Sequence, residues 1–268
     1  MKDCPIFISS ADSYADLWPI FFDLFKLNWP EYKGIIYLNT EERSFQSEGL
    51  NIVCTRLGRL GDFGTVFRAG LDRIDSDHLL FMMIDYIFMG KVNDLKVKEY
   101  YDYFISSDLD SFCLGHQEYR EFNPTESKDI LKVVPPSRDM FSYQIAFWKK
   151  KVLREMALPH ENPWTSEWYG TKRANKMKIK LTCLAAEAEV PIPYDAAGCL
   201  HQGKWLDNAI EYLNQIDYKV DFDKRGYYKY PSRTIKNRLK EKWMLVKDGL
   251  SGSYLDLARR HPIHTLND

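Results

Sequence analysis

A single acid, Asp85, follows an apolar run in the stretch LLFMMIDYIF, which extends from Leu79 to Phe88. Ten residues are too few for a membrane-spanning helix, which needs about 20. A continuous apolar run bounded by polar residues is typical of a central strand that is covered on both faces of its sheet. Because open α/β sheets bind ligands at the carboxyl ends of their strands, Asp85 is either a contact to a ligand or metal ion or a cap of the following loop.

A second acid and three basic residues occur in the second half of the chain. Glu167 and Arg173 belong to ENPWTSEWYGTKRAN, a tryptophan-rich loop that enters a predicted helix, and His201 and Lys204 share the loop sequence LHQGKW. A lone histidine in a loop is equally compatible with an ordinary surface position. Together these residues could serve transfer from a nucleotide-activated donor, which needs charge compensation for a leaving diphosphate and a base for an acceptor hydroxyl.

Other chemistries have less support in the sequence. There is no P-loop, HExxH, GxSxG or paired CxxC motif. The five cysteines are scattered singly, which argues against a disulfide framework or a zinc site and favours a reducing, cytoplasmic compartment. The glycines of LGRLGDFG lack phosphate-binding spacing, so we interpret this stretch as a flexible loop.

The elements that must position these residues alternate regularly in the first half. Predicted strands are CPIFISS, GIIYLNT, NIVCTRL, LLFMMID and DSFCLG, and predicted helices are SADSYADLWPIFFDLF, FGTVFRAGLDRI and NDLKVKEYYDYFISS. We expect Asp12 or Ser13 to cap the first helix, and Pro19 to kink it or to mark its true start. This alternation predicts βαβ units and a mostly parallel central sheet, hence an α/β fold.

The second half is less regular. LKVVPP, YQIAFWKK and KIKLTCLAAE are predicted strands, KKKVLREMAL and LDNAIEYLNQI are predicted helices, and AAGCLHQGKW is a predicted loop. In the tryptophan-rich segment, Pro163 ends the loop and Thr165 or Ser166 is the expected helix cap. We find no internal repeat or linker, so the simplest division is one domain over residues 1–222 with an appendage over residues 223–268.

The appendage is basic and aromatic. Between Phe222 and Trp243 its cations are Lys224, Arg225, Lys229, Arg233, Lys236, Arg238, Lys240 and Lys242, interleaved with Tyr227, Tyr228, Tyr230 and Trp243. This pattern predicts a helical segment that lies on an anionic membrane surface. The alternative is a solvated helix whose aromatic residues pack on the body. The net charge of the whole chain is only -1, so attraction to lipid or nucleic acid must come from such a local patch.

Several segments resemble, in the same order, a family of bacterial GT-A-type glycosyltransferases found in gene clusters for capsule and O-antigen polysaccharides. They are SSADSYADLWPIFFDLFKLNWP, IIYLNTEE, LLFMMIDYIF, YQIAFWKKKVLREM, ENPWTSEWYGTKRAN and HQGKW, between Ile6 and Gly226. The resemblance implies a GT-A-like (nucleotide-diphospho-sugar transferase) domain over residues 1–222. It also implies transfer of a sugar from a UDP-sugar or similar donor to a glycan or lipid-linked glycan, with inversion.

The resemblance implies roles for single residues near the first and central strands. Ser9, Ser10 and Asp12 would border the nucleotide. Asp85, followed by Tyr86, would be the DxD-like contact to a divalent metal, Mn²⁺ or Mg²⁺, and to the diphosphate. Ile84 stands where the family has the first acid of that motif, which leaves metal dependence open, although a single carboxylate with waters can hold Mg²⁺.

In the second half, the resemblance implies that Glu167 is the catalytic base, which takes the proton of the acceptor hydroxyl. Arg173, His201 and Lys204 would contact the leaving diphosphate, and Arg173 and Lys204 could neutralise it without a metal ion. A lipid-linked acceptor would require a soluble enzyme to reach the inner membrane face, which the basic appendage could provide.

Two rival interpretations belong to other functional classes. The missing first acid favours a catalytically degenerate subunit that binds sugar or nucleotide in a polysaccharide assembly complex. A nucleic-acid-binding module that uses the basic appendage has less support, because the body offers no matching basic face or motif. We therefore expect no nucleic-acid partner.

Overall fold

The computed structural model describes residues 4–117, 121–230 and Trp243. Nine strands of this part form one sheet: β1 (Ile6–Ser9), β2 (Ile35–Leu38), β3 (Asn51–Cys54), β4 (His78–Met83), β5 (Ser111–Cys113), β6 (Phe122–Pro124), β7 (Ile130–Val133), β8 (Ala146–Lys149) and β9 (Leu181–Leu184). The helices are α1 (Leu17–Asn28), α2 (Phe63–Leu71), α3 (Asp94–Ser106), α4 (Lys150–Met156), α5 (Pro163–Met177) and α6 (Asp207–Gln215).

The order of the strands is β3-β2-β1-β4-β8-β5-β9-β7-β6. Strands β1 to β4 are parallel neighbours, whereas β7 and β8 run opposite to the other seven strands. The predicted α/β class with a mostly parallel sheet is confirmed. The chain order reverses between β1 and β4, and such a reversal is where an open α/β sheet places its ligand crevice.

Strand β4 is apolar from Leu79 to Met83 because both of its faces are covered. Leu80 and Met82 belong to the core that contains α1 and α3, whereas Leu79 and Phe81 belong to the opposite core with α2 and α4. All four side chains are fully buried. The strand therefore lies between two layers of the core, as its unbroken apolar run predicts. The turn that follows it places Asp85 at the crevice.

The starts of two helices differ from the predicted ones. Helix α1 begins at Leu17 after Asp16, because Asp12–Tyr14 form a separate 3-10 turn. Pro19 thus lies in the first turn, where proline is tolerated. Helix α5 begins at Pro163 and is capped by Asn162 rather than by Thr165 or Ser166. Thr165 instead completes a reciprocal capping box with Asn162.

The predicted loop AAGCLHQGKW contains a small hairpin of β10 (Leu200–His201) and β11 (Lys204–Trp205). Gln202 and Gly203 form its two-residue turn, and both have positive φ, 51° and 78°, as the favoured hairpin turns require. The chain then returns after α6 to pair with β11, since Tyr228 N–H donates to Trp205 O at 2.8 Å. Among the described residues, no helix combines the length and apolarity needed to cross a membrane.

Only the beginning of the predicted appendage falls in the described part. Arg225, expected among the lipid-facing cations, is instead 13% exposed and paired with Asp16. Its Nε donates to Asp16 Oδ2 at 2.7 Å, and its guanidinium also donates to Ser13 O at 2.8 Å. Both hydrogen bonds join it to the body, so Arg225 is not available to a membrane. Lys236, Arg238, Lys240 and Lys242 lie outside the described residues.

Candidate active site

A cavity of about 180 Å³ lies at the carboxyl edge of β4, and we call it the edge cavity. It is formed by the turn after β4, the start of α5 and the hairpin turn. Its lining includes four residues that were singled out in the sequence and two that were not: Asp85, Tyr86, Glu167, His201, Tyr14 and Gln202. The fold thus brings together groups that are more than 100 residues apart in the chain.

Asp85 is enclosed by the loop that precedes β10. Its backbone carbonyl accepts from Cys199 N–H at 2.8 Å. Gly198 has φ +78° and lies so close that a Cβ atom there would be 2.8 Å from Asp85 Oδ2, which leaves no room for a side chain. Burial raises the pKa of Asp85 to about 7. Near neutral pH the carboxyl group is therefore present in both protonation states and can accept or donate a hydrogen bond.

Tyr86 is fixed by a short chain of hydrogen bonds. Gln144 Nε2 donates to Tyr86 Oη at 3.2 Å, and Tyr194 Oη donates to Gln144 Oε1 at 2.8 Å. Burial raises the pKa of the Tyr86 phenol well above its ordinary value, and the nearby Asp85 adds to the effect. Tyr86 therefore stays neutral and forms a rigid wall of the edge cavity.

Glu167 lies in the first turns of α5, between two open spaces. Its Oε1 accepts from Tyr143 N–H at 2.8 Å. It lines the edge cavity and also a second, larger groove of about 720 Å³, and Trp164 likewise lines both. A carboxylate that faces both spaces can exchange a proton with a group in either of them.

His201 is surrounded by aromatic rings. Its ring centroid is 4.3 Å from that of Tyr228 and 6.2 Å from that of Trp164. Burial lowers the pKa of His201 below its ordinary value, so at neutral pH the imidazole is predominantly uncharged and could offer a hydrogen bond rather than a cation. Lys204 pairs with His201 across the hairpin, but it is exposed and does not line the edge cavity.

Ser9, Ser10 and Asp12 lie beside the edge cavity rather than in its wall. Ser9 is in register with Met83 of β4, and Ser10 Oγ accepts from Trp18 Nε1 at 2.8 Å. The carboxylate of Asp12 accepts from three consecutive backbone N–H groups, at residues 41–43. Burial raises the pKa of Asp12, but these N–H groups outweigh it and lower the pKa overall. Asp12 thereby holds the loop after β2 in place.

Arg173 lies elsewhere, in the core between α4 and α5. Its guanidinium donates to both carboxylate oxygens of Glu161, at 2.7 and 2.6 Å, and to Met156 O at 2.6 Å. Arg173 and Glu161 are 7% and 4% exposed. The expected contact with a diphosphate is wrong for this residue, because its terminal nitrogens are already bonded to buried protein groups.

Few of the described side chains near Asp85 could coordinate a divalent metal ion. Among the described residues, no group of three or more His, Cys, Asp or Glu side chains is placed to hold a metal ion. Ile84, which takes the place of the first acid, is 2% exposed and belongs to the core. Asp85 is therefore the single carboxylate at this turn, and the side chains do not fit a metal site made by the protein alone.

Two residues close to Asp85, Tyr14 and Gly198, carry no sequence signal that we recognised. Tyr14 lies in the 3-10 turn after β1, and burial together with the nearby Asp85 raises its pKa. The guanidinium carbon of Arg225 lies 5.1 Å from the centre of the Tyr14 ring. Gly198 is required by its closeness to Asp85. The contacts of Tyr14 with Arg225 and of Gly198 with Asp85 join distant parts of the chain, so neither residue could be identified without the three-dimensional structure.

No protein-family model matches the chain, and no curated protein matches it. Among solved structures it is similar to S. aureus TarS 1–349 in complex with UDP, with a TM-score of 0.47 and 14% identity over 70% of this chain and 59% of that one. The complex of the same protein with UDP-GlcNAc has a TM-score of 0.46 and 12% identity, over 84% of this chain and 69% of that one. A UDP-glucose pyrophosphorylase complexed with UDP-glucose has a TM-score of 0.42 and 8% identity, over 69% of this chain and 90% of that one. At these scores and identities the similarities carry no argument about this chain.

Proposed function

We propose that this protein is a glycosyltransferase that moves a sugar from a nucleotide-sugar donor to an acceptor hydroxyl, with Glu167 as the base. The observation that carries the proposal is the position of Glu167, which lines both the edge cavity beside Asp85 and the larger groove. A transferase needs a proton acceptor where the spaces for its two substrates meet. The resemblance of the sequence motifs to GT-A glycosyltransferases supports the same reaction class.

In the proposed reaction, the edge cavity holds the sugar and diphosphate end of the donor. The cavity is smaller than the ~300–1,000 Å³ of typical ligand sites, so the nucleotide would extend over the neighbouring edge towards Ser10 and Asp12. The acceptor oxygen, approaching from the groove, forms a bond to the anomeric carbon while the bond from that carbon to the diphosphate breaks. Glu167 takes the acceptor proton. Attack from the face opposite the leaving group inverts the configuration.

The donor step is tested by thermal unfolding of the protein with UDP-, GDP- and CMP-sugars, each with and without Mn²⁺. A ligand that binds only the folded state raises its stability by RT ln(1 + [L]/Kd), about 2.7 kcal/mol at 100 Kd. We expect at least one nucleotide sugar to raise the midpoint, and product analysis should then show transfer or slow donor hydrolysis. If no nucleotide sugar shifts the midpoint at millimolar concentration, the proposal fails.

A second candidate is a subunit that binds a nucleotide sugar without turnover. The buried Ile84, in place of the first acid of the motif, favours it, because a metal-binding pair of acids cannot form at this turn. Donor binding with neither hydrolysis nor transfer would distinguish this candidate from the enzyme.

A further inference from the structure

The larger groove runs along the outer face of α5 and the segment 137–144, and we call it the tryptophan groove. Its volume is about 720 Å³, within the range of ligand-binding sites. Six of its lining residues are Gln117, Ser137, Trp164, Glu167, Trp168 and Asn175. None of the predicted site residues except Glu167 lies in it, so the groove is a space that the donor chemistry leaves unused.

Two tryptophans project from one helix face into this space. Trp164 and Trp168 are four residues apart on α5 and are therefore neighbours on the helix surface. They are 52% and 51% exposed, although tryptophan is usually highly buried. Lys172 Nζ lies 5.2 Å from the centre of the Trp168 ring, and the ring centroid of His201 lies 6.2 Å from that of Trp164. About half of each ring remains open to a ligand.

The rest of the lining is polar. Ser137 is 6% exposed, and its buried hydroxyl has no hydrogen-bond partner among the described residues. A buried polar group without a partner is costly unless a water or a ligand satisfies it. Two basic and two acidic residues, Arg138, Lys172, Asp139 and Glu167, line the groove, so their formal charges cancel. This balance does not favour a strongly anionic ligand.

Flat exposed rings alternating with hydroxyl, amide and charged groups match the surface of a sugar. A pyranose ring presents a face of C–H groups, which can pack on an indole, and a rim of hydroxyl groups, which need hydrogen-bond partners. A purely apolar chain would leave the polar lining desolvated and unpaired, and a nucleic acid would need a net positive wall.

From this match we propose that the tryptophan groove binds an uncharged glycan chain through Trp164 and Trp168. The identification of this glycan as the acceptor rests on the function proposed above, because only then does the Glu167 end of the groove become the position of the reacting hydroxyl. A chain lying along α5 would place its terminal sugar at Glu167, next to the edge cavity, and its preceding units over Trp168.

The test is binding of the labelled full-length protein to an array of several hundred neutral and anionic glycans. Wild-type protein should bind a subset of neutral glycans. Trp168→Ala, which touches the groove but not the edge cavity, should weaken that binding by about tenfold, the effect expected for loss of one ring contact. Leu95→Ala, at a position that is 80% exposed on α3, is the matched control and should bind as wild type.

Binding to no neutral glycan, or equal binding by Trp168→Ala and wild type, overturns the proposal, and so does binding confined to anionic glycans. Thermal shifts with nucleotide sugars, measured on the same three proteins, separate this result from the proposed function. Glycan binding that depends on Trp168, without any thermal shift by a nucleotide sugar, would support glycan binding in the tryptophan groove and contradict the proposed transferase function. A nucleotide-sugar shift without glycan binding would do the reverse.

Discussion

Glu167 is held by the backbone N–H of Tyr143, which donates to its Oε1. Glu167→Gln keeps that acceptor as an amide oxygen but cannot take a proton from the acceptor hydroxyl. We therefore expect turnover to fall by about 10²- to 10⁴-fold, with donor affinity nearly unchanged. Steady-state transfer rates together with donor titration followed by thermal shift would measure both quantities.

Near-normal turnover in Glu167→Gln would show that another group is the base. Asp195 and Asp62 are the next acids to test by their sequence positions, but both have structural partners. Asp62 caps α2 by accepting from Thr65 N–H at 2.8 Å, and Asp195 accepts from Asn208 Nδ2 at 2.6 Å. Neither of them lines the edge cavity.

Asp85 should make stability depend on pH. Its pKa is about 7 in the folded protein and near 3.9 in an unfolded chain, so the folded state holds the proton more tightly. The stabilisation from protonation is complete below about pH 4 and is lost as the pH rises through 7. Asp85→Asn carries no such charge. Its stability relative to wild type should therefore rise by on the order of 1–4 kcal/mol between pH 4 and pH 8.

Urea unfolding at several pH values would measure this difference. Asp75→Asn, on an exposed loop, is the matched control for the change of a carboxylate to an amide. A constant difference for Asp85→Asn would mean that its carboxyl group is not desolvated. The same variant tests the proposed ligand role, because Asp85→Asn should weaken donor binding and remove any response to Mn²⁺.

At the scale of elements, the ion pair of Arg173 and Glu161 joins α5 to the connection between α4 and α5, and Arg173 also donates to Met156 O at the end of α4. Arg173→Met removes both hydrogen bonds to Glu161 and leaves its carboxylate buried without a counter-charge. We expect a loss of about 3–5 kcal/mol in the free energy of unfolding. Because Arg173 does not line the edge cavity, the folded fraction should bind nucleotide sugar with wild-type affinity.

The double variant Arg173→Met, Glu161→Gln is the control. It removes both charges, and it should recover a large part of the stability that Arg173→Met loses, as seen when buried pairs are replaced together. Unfolding in urea would measure the stabilities of wild type, Arg173→Met and the double variant, and isothermal titration would measure their donor affinities. If Arg173→Met kept its stability but lost donor binding, Arg173 would contact the diphosphate, as the sequence resemblance implies.

Elements whose identity is set by local patterns were predictable from the sequence. The run Leu79–Met83 reads as a doubly covered strand because every residue of it is apolar, and the βαβ alternation gives the parallel part of the sheet. Helix starts were less predictable, since Asp12, an expected cap, lies in a separate 3-10 turn, and α5 is capped by Asn162 rather than by Thr165 or Ser166. The hairpin Leu200–Trp205 was missed because its strands are two residues long.

The site was predictable only in part, for the same reason. Asp85 follows a strand and Glu167 lies in the first turns of a helix that the sequence defines, and both line the edge cavity, while their roles stay predictions. The assignment of Arg173 was wrong, because nothing local distinguishes an arginine that faces a ligand from one that faces Glu161, 12 residues earlier. Tyr14 and Gly198 were missed since their importance comes from contacts with Asp85 across the fold.

At the scale of the molecule, the two spaces meet at one edge of the sheet. The edge cavity is built by the β4 turn and the hairpin, the tryptophan groove by the outer face of α5, and Glu167 is common to both. Arg225 fastens the chain after α6 to the turn after β1 through Asp16. The described chain therefore ends close to the edge cavity, since the ring centroid of Tyr228 lies 4.3 Å from that of His201.

The position of Tyr228 beside His201 gives the basic appendage a place in the proposed reaction. If the acceptor glycan is carried on a membrane lipid, cations on the chain after residue 230 would bring the site to the bilayer surface. Each lysine or arginine near anionic lipid contributes about 1 kcal/mol, and tyrosine and tryptophan suit the interface. Arg225 does not count toward this set, so we assign the interaction to Lys236, Arg238, Lys240 and Lys242.

We predict that the protein sediments with vesicles that contain anionic lipid but not with neutral ones, and that binding is lost by about 0.5 M salt, where exposed charges are screened within a few Å. Replacing the four cations by glutamine should abolish vesicle binding and leave nucleotide-sugar binding intact. A variant with Lys26, Lys33, Lys98 and Lys178 changed to glutamine removes the same charge from the body and should still sediment. If the quadruple appendage variant also sediments, or wild type never does, the appendage packs as a structural element and the protein reaches its acceptor without the membrane.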